Sequence, residues 1–346
     1  MIKNFDLYIE NIKLALGQNN HFDKLKNKSV LITGANGMIA SCIIDIINYL
    51  NKNLGYNIHI VALMREQDRI LDRFEKYDNF EALVQDVNNP ITYANHIDYV
   101  IHAASNADPK SFSMDPVGTM TANFTGMKNI LDFAKDGDVT RVLYISSGEI
   151  YGQGDSSTEA FTEDYVGKTE IVNPRSCYPI GKMASETLCA AYVSQYELDV
   201  VIARPSHSYG PTQSDRDSRA SSQFIRNGVD GIDIIMKSKG EQVRSYCYVV
   251  DCAIGILTIL CNGENCKAYN VANKSSIVSI KELAETIADK ANVKLLFELP
   301  TESEKKSYNP VTRSVLDGSK LESIGWKPVF DIYNGLKNTL SIMKGI

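Results

Sequence analysis

The fold of this chain is decided by residues 29–40, which have the sequence SVLITGANGMIA. A short β-branched run ends at Thr33, glycines follow at positions 34 and 37, and an apolar stretch continues to about Leu50. A strand, a glycine turn and a helix in this order open a βαβ unit. Glycine permits a tight turn, and the first helical turn offers free N–H groups and a positive dipole to a pyrophosphate. We therefore predict a dinucleotide site here, formed by Gly34, Asn36, Gly37, Met38 and Ile39.

Five further strands are expected from short, continuous apolar runs. They lie at about 58–63, 80–85, 98–103, 141–146 and 199–204, with helical stretches between most of them. Apolar strands that alternate with helices form a parallel sheet covered on both faces. The predicted fold class is therefore α/β, with a doubly wound parallel sheet of the Rossmann type.

The pattern becomes shorter and less regular after Pro205. We predict three parts: an N-terminal helical extension over 1–26, an NAD(P)-binding domain over 27–205, and a smaller substrate lobe over 206–346. Some segments of the lobe are expected to return to the second part. In the extension, apolar residues at helical spacing predict a helix over 4–16 that ends at Gly17. The charge-rich residues 68–77 are expected to form a solvated helix.

Composition excludes several classes of function. The chain has 346 residues and a net charge of −6 without a basic block, which argues against nucleic acid as the main partner. No apolar run approaches the roughly 18 residues of a membrane span, and the N-terminus lacks a signal-peptide core. The seven cysteines show no metal-ligand spacing, so no metal is expected. We predict a soluble cytoplasmic protein with reduced thiols.

Residues 173–196, NPRSCYPIGKMASETLCAAYVSQY, carry the clearest catalytic signal. Tyr178 and Lys182 are four residues apart on a predicted helix, so both side chains point to one face. An ammonium near a phenol favours the phenolate and is expected to lower the pKa of Tyr178 towards neutrality. Such a phenolate accepts a proton from a hydroxyl group. An ordinary amphipathic helix has the same spacing, and other motifs must support the catalytic interpretation.

The ends of the second, third and fourth strands suit the adenosine side of the cofactor. Met64 and Arg65 follow the second strand, where an acid usually meets the ribose. Arginine there accommodates a 2′-phosphate, although an exposed arginine that only closes the strand fits equally well. NAD is therefore expected and NADP is not excluded. The remaining candidates are Asp86, Val87, Ala103 and Ala104, whereas His102 is expected to be a satisfied structural histidine.

The fifth strand leads into ISSGEIYG at 145–152. Catalytic groups of open parallel sheets gather at the carboxyl ends of strands. Ser147 is placed to hydrogen-bond a substrate hydroxyl, and Glu149 supplies a second acid or base. Turn capping by the serine and a surface position for the carboxylate are the simpler alternatives.

Together these motifs resemble the extended short-chain dehydrogenase/reductase family, the NAD-dependent epimerases and dehydratases of nucleotide-linked sugars. The motifs are GxxGxxA, HAAS, NFTGMKNIL, SSGEIYG, YPIGK and RPSHSYGP, and the resemblance runs from about residue 28 to 335. Within this family, FEALVQDVNNPI (80–91), residues 163–193 and the SxE order of 147–149 look most like UDP-glucuronate decarboxylases. Nucleotide-sugar 4,6-dehydratases are the next most similar branch.

The resemblance implies roles for individual residues. Ser147, Tyr178 and Lys182 would form the catalytic trio, and Glu149 would serve chemistry at C5. Cofactor contacts would also involve Asn123 and Pro205. The implied contacts to a nucleotide-sugar substrate are Ser105, Asp108, His207, Gln223, Arg244 and Arg313. Of these, Arg244 would hold the phosphates.

Three reactions share a first oxidation at the sugar C4: decarboxylation, 4,6-dehydration and C4 or C5 epimerisation. Glu149 favours the first two, because inversion at C4 needs no base at C5. Gly148 stands where many dehydratases have an aspartic acid, and His207 replaces a common asparagine. The flank Pro174–Cys177 favours decarboxylation. A non-catalytic cofactor-binding scaffold is a remote alternative, because such proteins usually lack the tyrosine or the lysine.

The resemblance also implies a homodimer. Two helices, at about 115–135 and 178–196, would pair with their mates in a four-helix bundle. Leu188, Ala191 and Tyr192 are candidates for that seam, and packing within one subunit explains them as well.

Overall fold

A seven-stranded parallel sheet lies at the centre of the protein. The structure is a computed structural model that describes residues 2–66, 72–155, 157–298, 300 and 311–346. The strands in these ranges are β1 (Ser29–Thr33), β2 (His59–Met64), β3 (Phe80–Val84), β4 (Tyr99–His102), β5 (Arg141–Ile145), β6 (Val200–Pro205), β7 (His207–Tyr209), β8 (Ile234–Met236), β9 (Val243–Tyr248), β10 (Ala268–Val271), β11 (Ile277–Ser279), β12 (Leu295–Phe297) and β13 (Arg313–Ser314). The central sheet has the order β10-β6-β5-β4-β1-β2-β3. The six predicted strands are confirmed to within one residue at each end.

Helices cover both faces of this sheet, as predicted. They are α1 (Phe5–Gln18), α2 (Met38–Leu54), α3 (Pro109–Met114), α4 (Pro116–Asp136), α5 (Cys177–Tyr196), α6 (Ala220–Asp230), α7 (Val249–Asn262), α8 (Ile280–Ala291), α9 (Ser319–Ser323) and α10 (Ile332–Lys344). In β1, Ile32 packs with the cluster of α2 and α7, whereas Leu31 packs with that of α4 and α5. Alternate strand residues face opposite sides, so a continuously apolar strand serves both layers. The doubly wound α/β fold is confirmed.

The last strand of the central sheet comes from far along the chain. β10 pairs in parallel with β6, with Tyr269 opposite Ala203. α7 precedes β10 and is buried along almost its whole length. These are segments that return to the main sheet, as the sequence suggested, while the division at 205/206 stays a prediction. The lobe itself has a small sheet in which β9 pairs with β7, β11 and β13, and a separate pair of β8 with β12.

The N-terminal helix is part of the core. It runs to Gln18, so the predicted stop at Gly17 is wrong by one residue. Its Tyr8 hydroxyl donates to Asp45 of α2 at 2.9 Å, and Arg73 forms two bonds to the same buried carboxylate at 2.8 and 2.9 Å. The helix predicted over 68–77 lies partly outside the described residues, and the described part contains only a 3₁₀ turn at Phe74–Lys76. Phe74 is buried there, whereas Asp72, Glu75 and Lys76 are exposed, as expected of a solvated segment.

The helices and the cysteines allow two further observations. Across the described ranges, no helix combines the length and the apolar character needed to span a bilayer. All seven cysteines are free thiols, and all but Cys266 are buried.

Candidate active site

Two adjoining cavities lie at the carboxyl ends of the central strands. They have volumes of about 330 and 230 Å³ and share Gly34, Gly37, Ala103 and Ser105 at their boundary. In open parallel sheets, ligands bind at this edge because the strand order reverses there. The larger cavity collects the predicted catalytic and several predicted ligand-binding residues, namely Met38, Ile39, Asp108, Ser147, Glu149, Tyr178, Lys182, Pro205 and His207.

The glycine turn brings the backbone of β1 close to that of β4. Gly34 has a φ of +65°, and a Cβ atom there would lie 2.8 Å from the Cα of Ala104. Gly37 is the N-cap of α2 and offers no side chain to the first-turn N–H groups. The nearby Asn36 Oδ1 is buried and has no hydrogen-bond partner within the described residues. Free N–H groups and an unpaired acceptor beside a cradle without side chains fit a dinucleotide pyrophosphate and ribose.

The smaller cavity forms the adenosine end of the site. It is lined by five of the residues predicted for that end, Arg65, Asp86, Val87, Ala103 and Ala104, together with Asn36. It also contains Glu66, a carboxylate two residues beyond Met64 that the sequence reasoning missed because the strand was predicted to end at 63. The possibility that Arg65 receives a 2′-phosphate stays a prediction.

Tyr178 and Lys182 lie in the larger cavity as predicted, but the pKa expected for the phenol is wrong. Burial and then Glu149 raise the pKa of Tyr178 to about 12, while Ser147, Arg219 and Arg175 act against this shift. Lys182 Nζ donates to Ile145 O at 2.8 Å and lies 5.8 Å from the Tyr178 ring centre, and within the described residues it forms no hydrogen bond to the phenol. Burial also lowers the pKa of Lys182 to about 7.

Glu149, which lines the larger cavity, has a cationic neighbour. Arg175 Nη1 lies 3.6 Å from Glu149 Oε2, and both side chains are about one-third exposed, at 32% and 27%. The guanidinium lies 4.5 Å from the centre of the Phe112 ring, and that ring stacks on Tyr178 at 5.3 Å. Arginine on an aromatic face is held in place by cation–π attraction. The sequence pointed to the flank of Arg175 without assigning it a contact.

A loop after β7 closes the other side of the cavity. Thr212 Oγ1 donates to Met38 O at 2.8 Å, and Ser218 N donates to the Asp108 carboxylate at 2.8 Å. Arg219 and Asp217 line the cavity as a bidentate ion pair. The sequence reasoning missed this pair, because alternating charges in a polar loop give no periodic signal.

His102 matches the structural role expected of it only in part. Its Nδ1 lies 2.8 Å from Thr33 Oγ1, but Nε2 has no hydrogen-bond partner among the described residues. Burial lowers the pKa of His102 to about 3, with Lys182 acting in the same direction, so the ring is neutral. A buried imidazole with so low a pKa is a poor proton acceptor at neutral pH, which supports the view that His102 is not the base.

Four predicted residues do not line these two cavities. Asn123 is buried, accepts from Ser105 Oγ at 2.9 Å and donates to Thr119 O, so it supports the site from behind. Gln223 lines a neighbouring groove. Arg244 is buried and donates to the carbonyls of Val243 and Val311, and Arg313 donates to Glu159 O. Their substrate contacts stay predictions.

Comparison with known proteins identifies the family. Residues 30–272 match the family model described as the NAD dependent epimerase/dehydratase family. The chain belongs to this family. It is therefore an NAD-dependent enzyme, and the resemblance inferred from the motifs is confirmed.

Several relatives among characterised sequences are UDP-glucuronic acid decarboxylases. The chain is 30% identical to UDP-glucuronic acid decarboxylase 6 of Arabidopsis thaliana, over 90% of this chain and 87% of the relative. It is 28% identical to UDP-glucuronic acid decarboxylase 1 of Xenopus tropicalis, over 90% and 71%. These identities extend over both the cofactor-binding half and the lobe.

Solved structures support the fold. A dTDP-glucose 4,6-dehydratase from Streptomyces venezuelae, with NAD and TYD bound, has a TM-score of 0.78 at 22% identity, covering 92% of this chain and 97% of its own. The UDP-glucose 4-epimerase of Thermotoga maritima, bound to UDP-glucose, has a TM-score of 0.78 at 20% identity, covering 92% and 99%. A dehydratase and an epimerase, the enzymes of two of the three reactions considered from the sequence, thus share this architecture.

Proposed function

We propose that this enzyme decarboxylates the uronate of a nucleotide sugar after oxidising it at C4. The observation that carries the proposal is the position of Glu149 in the pocket of Tyr178, with the Arg175 cation 3.6 Å from its carboxylate. A uronate brings a second carboxylate close to C5, and an adjacent guanidinium offsets the repulsion between two such anions. The decarboxylase relatives support the same reaction and a UDP-linked substrate.

Each step has a residue of this chain to perform it. Tyr178 takes the proton of the C4 hydroxyl, Ser147 hydrogen-bonds the same oxygen, and Lys182 favours the phenolate when it is charged. NAD, held by the glycine turn of Gly34 and Gly37 and by the smaller cavity, would supply the hydride acceptor when bound. The C4 ketone turns the uronate into a β-keto acid, so the C5–C6 bond breaks, CO₂ leaves and the electron pair stays on C5.

The cycle then reverses the oxidation. C5 takes up one proton, for which Glu149 is the acid–base group of the pocket. The hydride returns to C4 and Tyr178 returns its proton to the oxygen. Since the hydride is both taken and returned, the net reaction consumes one proton and releases CO₂ without an external oxidant. Fixing the reacting groups in one pocket accelerates such steps beyond proton transfer alone.

Dehydration is the second candidate, because the same Glu149 would remove the C5 proton of a sugar with a C6 hydroxyl. The two reactions differ in what Arg175 contributes, since a C6 hydroxyl has no charge to pair. Arg175→Gln is therefore expected to weaken the use of a uronate and to leave the oxidation of a neutral sugar nearly unchanged. Arg216→Gln, which removes another cation that lines the cavity, is the matched control.

A panel of nucleotide sugars read by mass spectrometry tests the proposal. Loss of about 44 Da from a nucleotide uronate is the expected result, whereas loss of about 18 Da from a neutral sugar would establish dehydration. Conversion without a change in mass would instead establish epimerisation. The absence of turnover with every sugar, together with no NAD binding, would favour the scaffold alternative.

We also propose a homodimer built on α4 and α5. Val117 and Phe124 are one heptad apart on α4 and are exposed by 75% and 43%, which leaves an apolar face without cover in one subunit. Of the seam residues predicted on α5, Ala191 is exposed, whereas Leu188 and Tyr192 pack in the subunit core. Phe124→Glu should convert the dimer to a monomer in sedimentation, and an unchanged sedimentation coefficient would contradict this seam.

The compartment we propose is the cytoplasm. Six buried free thiols fit a reducing environment, in which structural disulfides do not form. A disulfide found in the native protein by mass mapping would contradict this placement.

A further inference from the structure

One buried ion pair lies just behind the catalytic lysine. Glu186 of α5 accepts two bonds from Arg204 of β6, at 3.1 Å from Nε and 2.7 Å from Nη2. The two side chains are only 11% and 14% exposed. Arg204 Nη1 also donates to Tyr151 Oη at 2.9 Å and to Glu163 O at 2.7 Å. All three guanidinium nitrogens are therefore bonded, and the pair is fixed in one geometry.

The pair is aligned with the catalytic residues. Tyr178, Lys182 and Glu186 are at positions i, i+4 and i+8 of α5, which places them along one helical face. Lys182 is 2% exposed, and its one hydrogen bond within the described residues is to the carbonyl of Ile145. A buried ammonium bonded only to a carbonyl depends on more distant charges to stay protonated.

The groups around Lys182 leave Glu186 as the compensating charge. The neighbouring groups on α5 are Tyr178, Glu186 and Cys189. Those on the sheet are His102 of β4 and Tyr144 of β5, and Arg204 of β6 is linked to the lysine through Glu186. Burial raises the pKa of the Cys189 thiol and of the Tyr144 phenol, so both are neutral. His102 is neutral as well, because burial lowers its pKa to about 3. Burial lowers the pKa of Lys182 to about 7, and Glu186 opposes that shift.

We propose that the Glu186–Arg204 pair positions α5 against β6 and sets the charge of Lys182. Glu186 holds the lysine in its ammonium form, and Arg204 limits that effect by neutralising most of the carboxylate. Both are positioning residues, since neither touches the reacting atoms. The inference rests on the proposed oxidation at C4, which decarboxylation, dehydration and epimerisation share, and it does not depend on which of the three follows.

The pH dependence of turnover tests the proposal with whichever nucleotide sugar the wild-type enzyme converts. Activity requires charged Lys182, so it falls as pH rises through the pKa of this residue. Glu186→Gln should move that basic limb to lower pH by about two units, the effect of one charge about 6 Å away with an effective dielectric constant near 20. Arg204→Met should move it to higher pH, because the carboxylate is then no longer neutralised. The double variant should return close to the wild-type profile.

A matched control removes a similar pair at the amino-terminal ends of β5 and β6. Arg141 of β5 binds Asp199 through two bonds at 2.9 and 2.7 Å. Asp199→Asn should lower the urea midpoint without moving the pH profile. A second readout, which needs no substrate, is the near-ultraviolet absorbance of tyrosinate as pH rises. The titration of Tyr178 itself is the difference between each variant and the same variant that also carries Tyr178→Phe.

The outcomes separate a charge-setting role from a purely structural one. Opposite shifts for Glu186→Gln and Arg204→Met support the proposal. An unchanged profile in both variants, or shifts in the same direction, overturns it. If Glu186→Gln fails to fold, two other variants test the proposal. Arg204→Met should still move the basic limb of the pH profile to higher pH, and Glu186→Asp, which preserves the charge, should leave that limb at its wild-type position. If the wild type converts a sugar without CO₂ loss, the proposed decarboxylation fails and this test proceeds unchanged.

Discussion

Replacement of Gly34 by alanine should damage both the stability of the fold and the binding of NAD. Gly34 and Gly55 have the same left-handed φ of +65°, but only Gly34 is crowded. A Cβ at position 34 would lie 2.8 and 2.9 Å from Ala104 Cα and N, whereas one at position 55 would meet nothing within 4 Å. Gly55→Ala is therefore a control that changes the backbone preference alone.

The loss in the free energy of unfolding differs between the two variants only by its steric part. The left-handed conformation costs an alanine about 1–2 kcal/mol at either position. The clash at position 34 adds roughly 1–3 kcal/mol, because backbone atoms of β4 must move away. The smaller unfolded-state entropy of alanine, about 0.4–1 kcal/mol, affects both variants equally and cancels from their difference. We therefore expect the free energy of unfolding of Gly34→Ala to be about 1–3 kcal/mol below that of Gly55→Ala.

Equilibrium unfolding in urea and calorimetric titration with NAD measure the two effects. Gly34→Ala should bind NAD at least about tenfold more weakly, equivalent to ~1.4 kcal/mol, while Gly55→Ala keeps the wild-type affinity. Equal losses of stability in the two variants, or wild-type NAD affinity in Gly34→Ala, would refute the close approach of β1 to β4 as the basis of the cofactor site.

Three further perturbations test other parts of the structure. Tyr178→Phe should lower turnover by about 10²–10⁴-fold with an unchanged urea midpoint, and near wild-type turnover would exclude Tyr178 as the proton acceptor. Lys182→Met should be inactive but more stable than the NAD-free wild type below about pH 7, because it removes a buried ammonium. This advantage in stability should shrink as pH rises from about 7 to 10.5, because in that range the unfolded wild-type chain binds more protons than the folded one. A difference in the free energy of urea unfolding between variant and wild type that did not change with pH would contradict the lowered pKa of Lys182. Asp45→Asn should cost about 3–5 kcal/mol in urea unfolding, since Arg73 then loses its buried counter-charge, and a loss under 1 kcal/mol would show that the network contributes little.

The parts that the sequence predicted well are those with strong local signals. Apolar runs located six strands of the central sheet, because continuous hydrophobicity is required of any strand covered on both faces. The turn of Gly34 and the spacing of Tyr178 and Lys182 are likewise local, so the sequence alone predicted that these residues lie together at the cavities.

The parts it missed depend on contacts between distant segments. The return of β10 to the sheet edge has no local signature, because a short edge strand in the lobe has the same composition. The ion pair of Arg219 with Asp217 enters the cavity only because its loop folds back over α2. The pKa of Tyr178 was wrong for a related reason: spacing gives the neighbour on the helix, but burial by Phe112 and the rest of the pocket sets the desolvation.

The pairing of β10 with β6 also governs how the enzyme can be made and recombined. During translation β6 emerges long before β10, so its edge stays open until most of the lobe has been synthesised. The C-terminal part of the chain thus contributes a strand to the central sheet. The first half therefore completes its folding only when this late, long-range contact forms. Exchange of lobes between relatives to alter substrate choice must therefore leave residues 249–271 with the recipient sheet. A gene fragment that stops after Pro205 should yield an aggregating product, not a free-standing cofactor module.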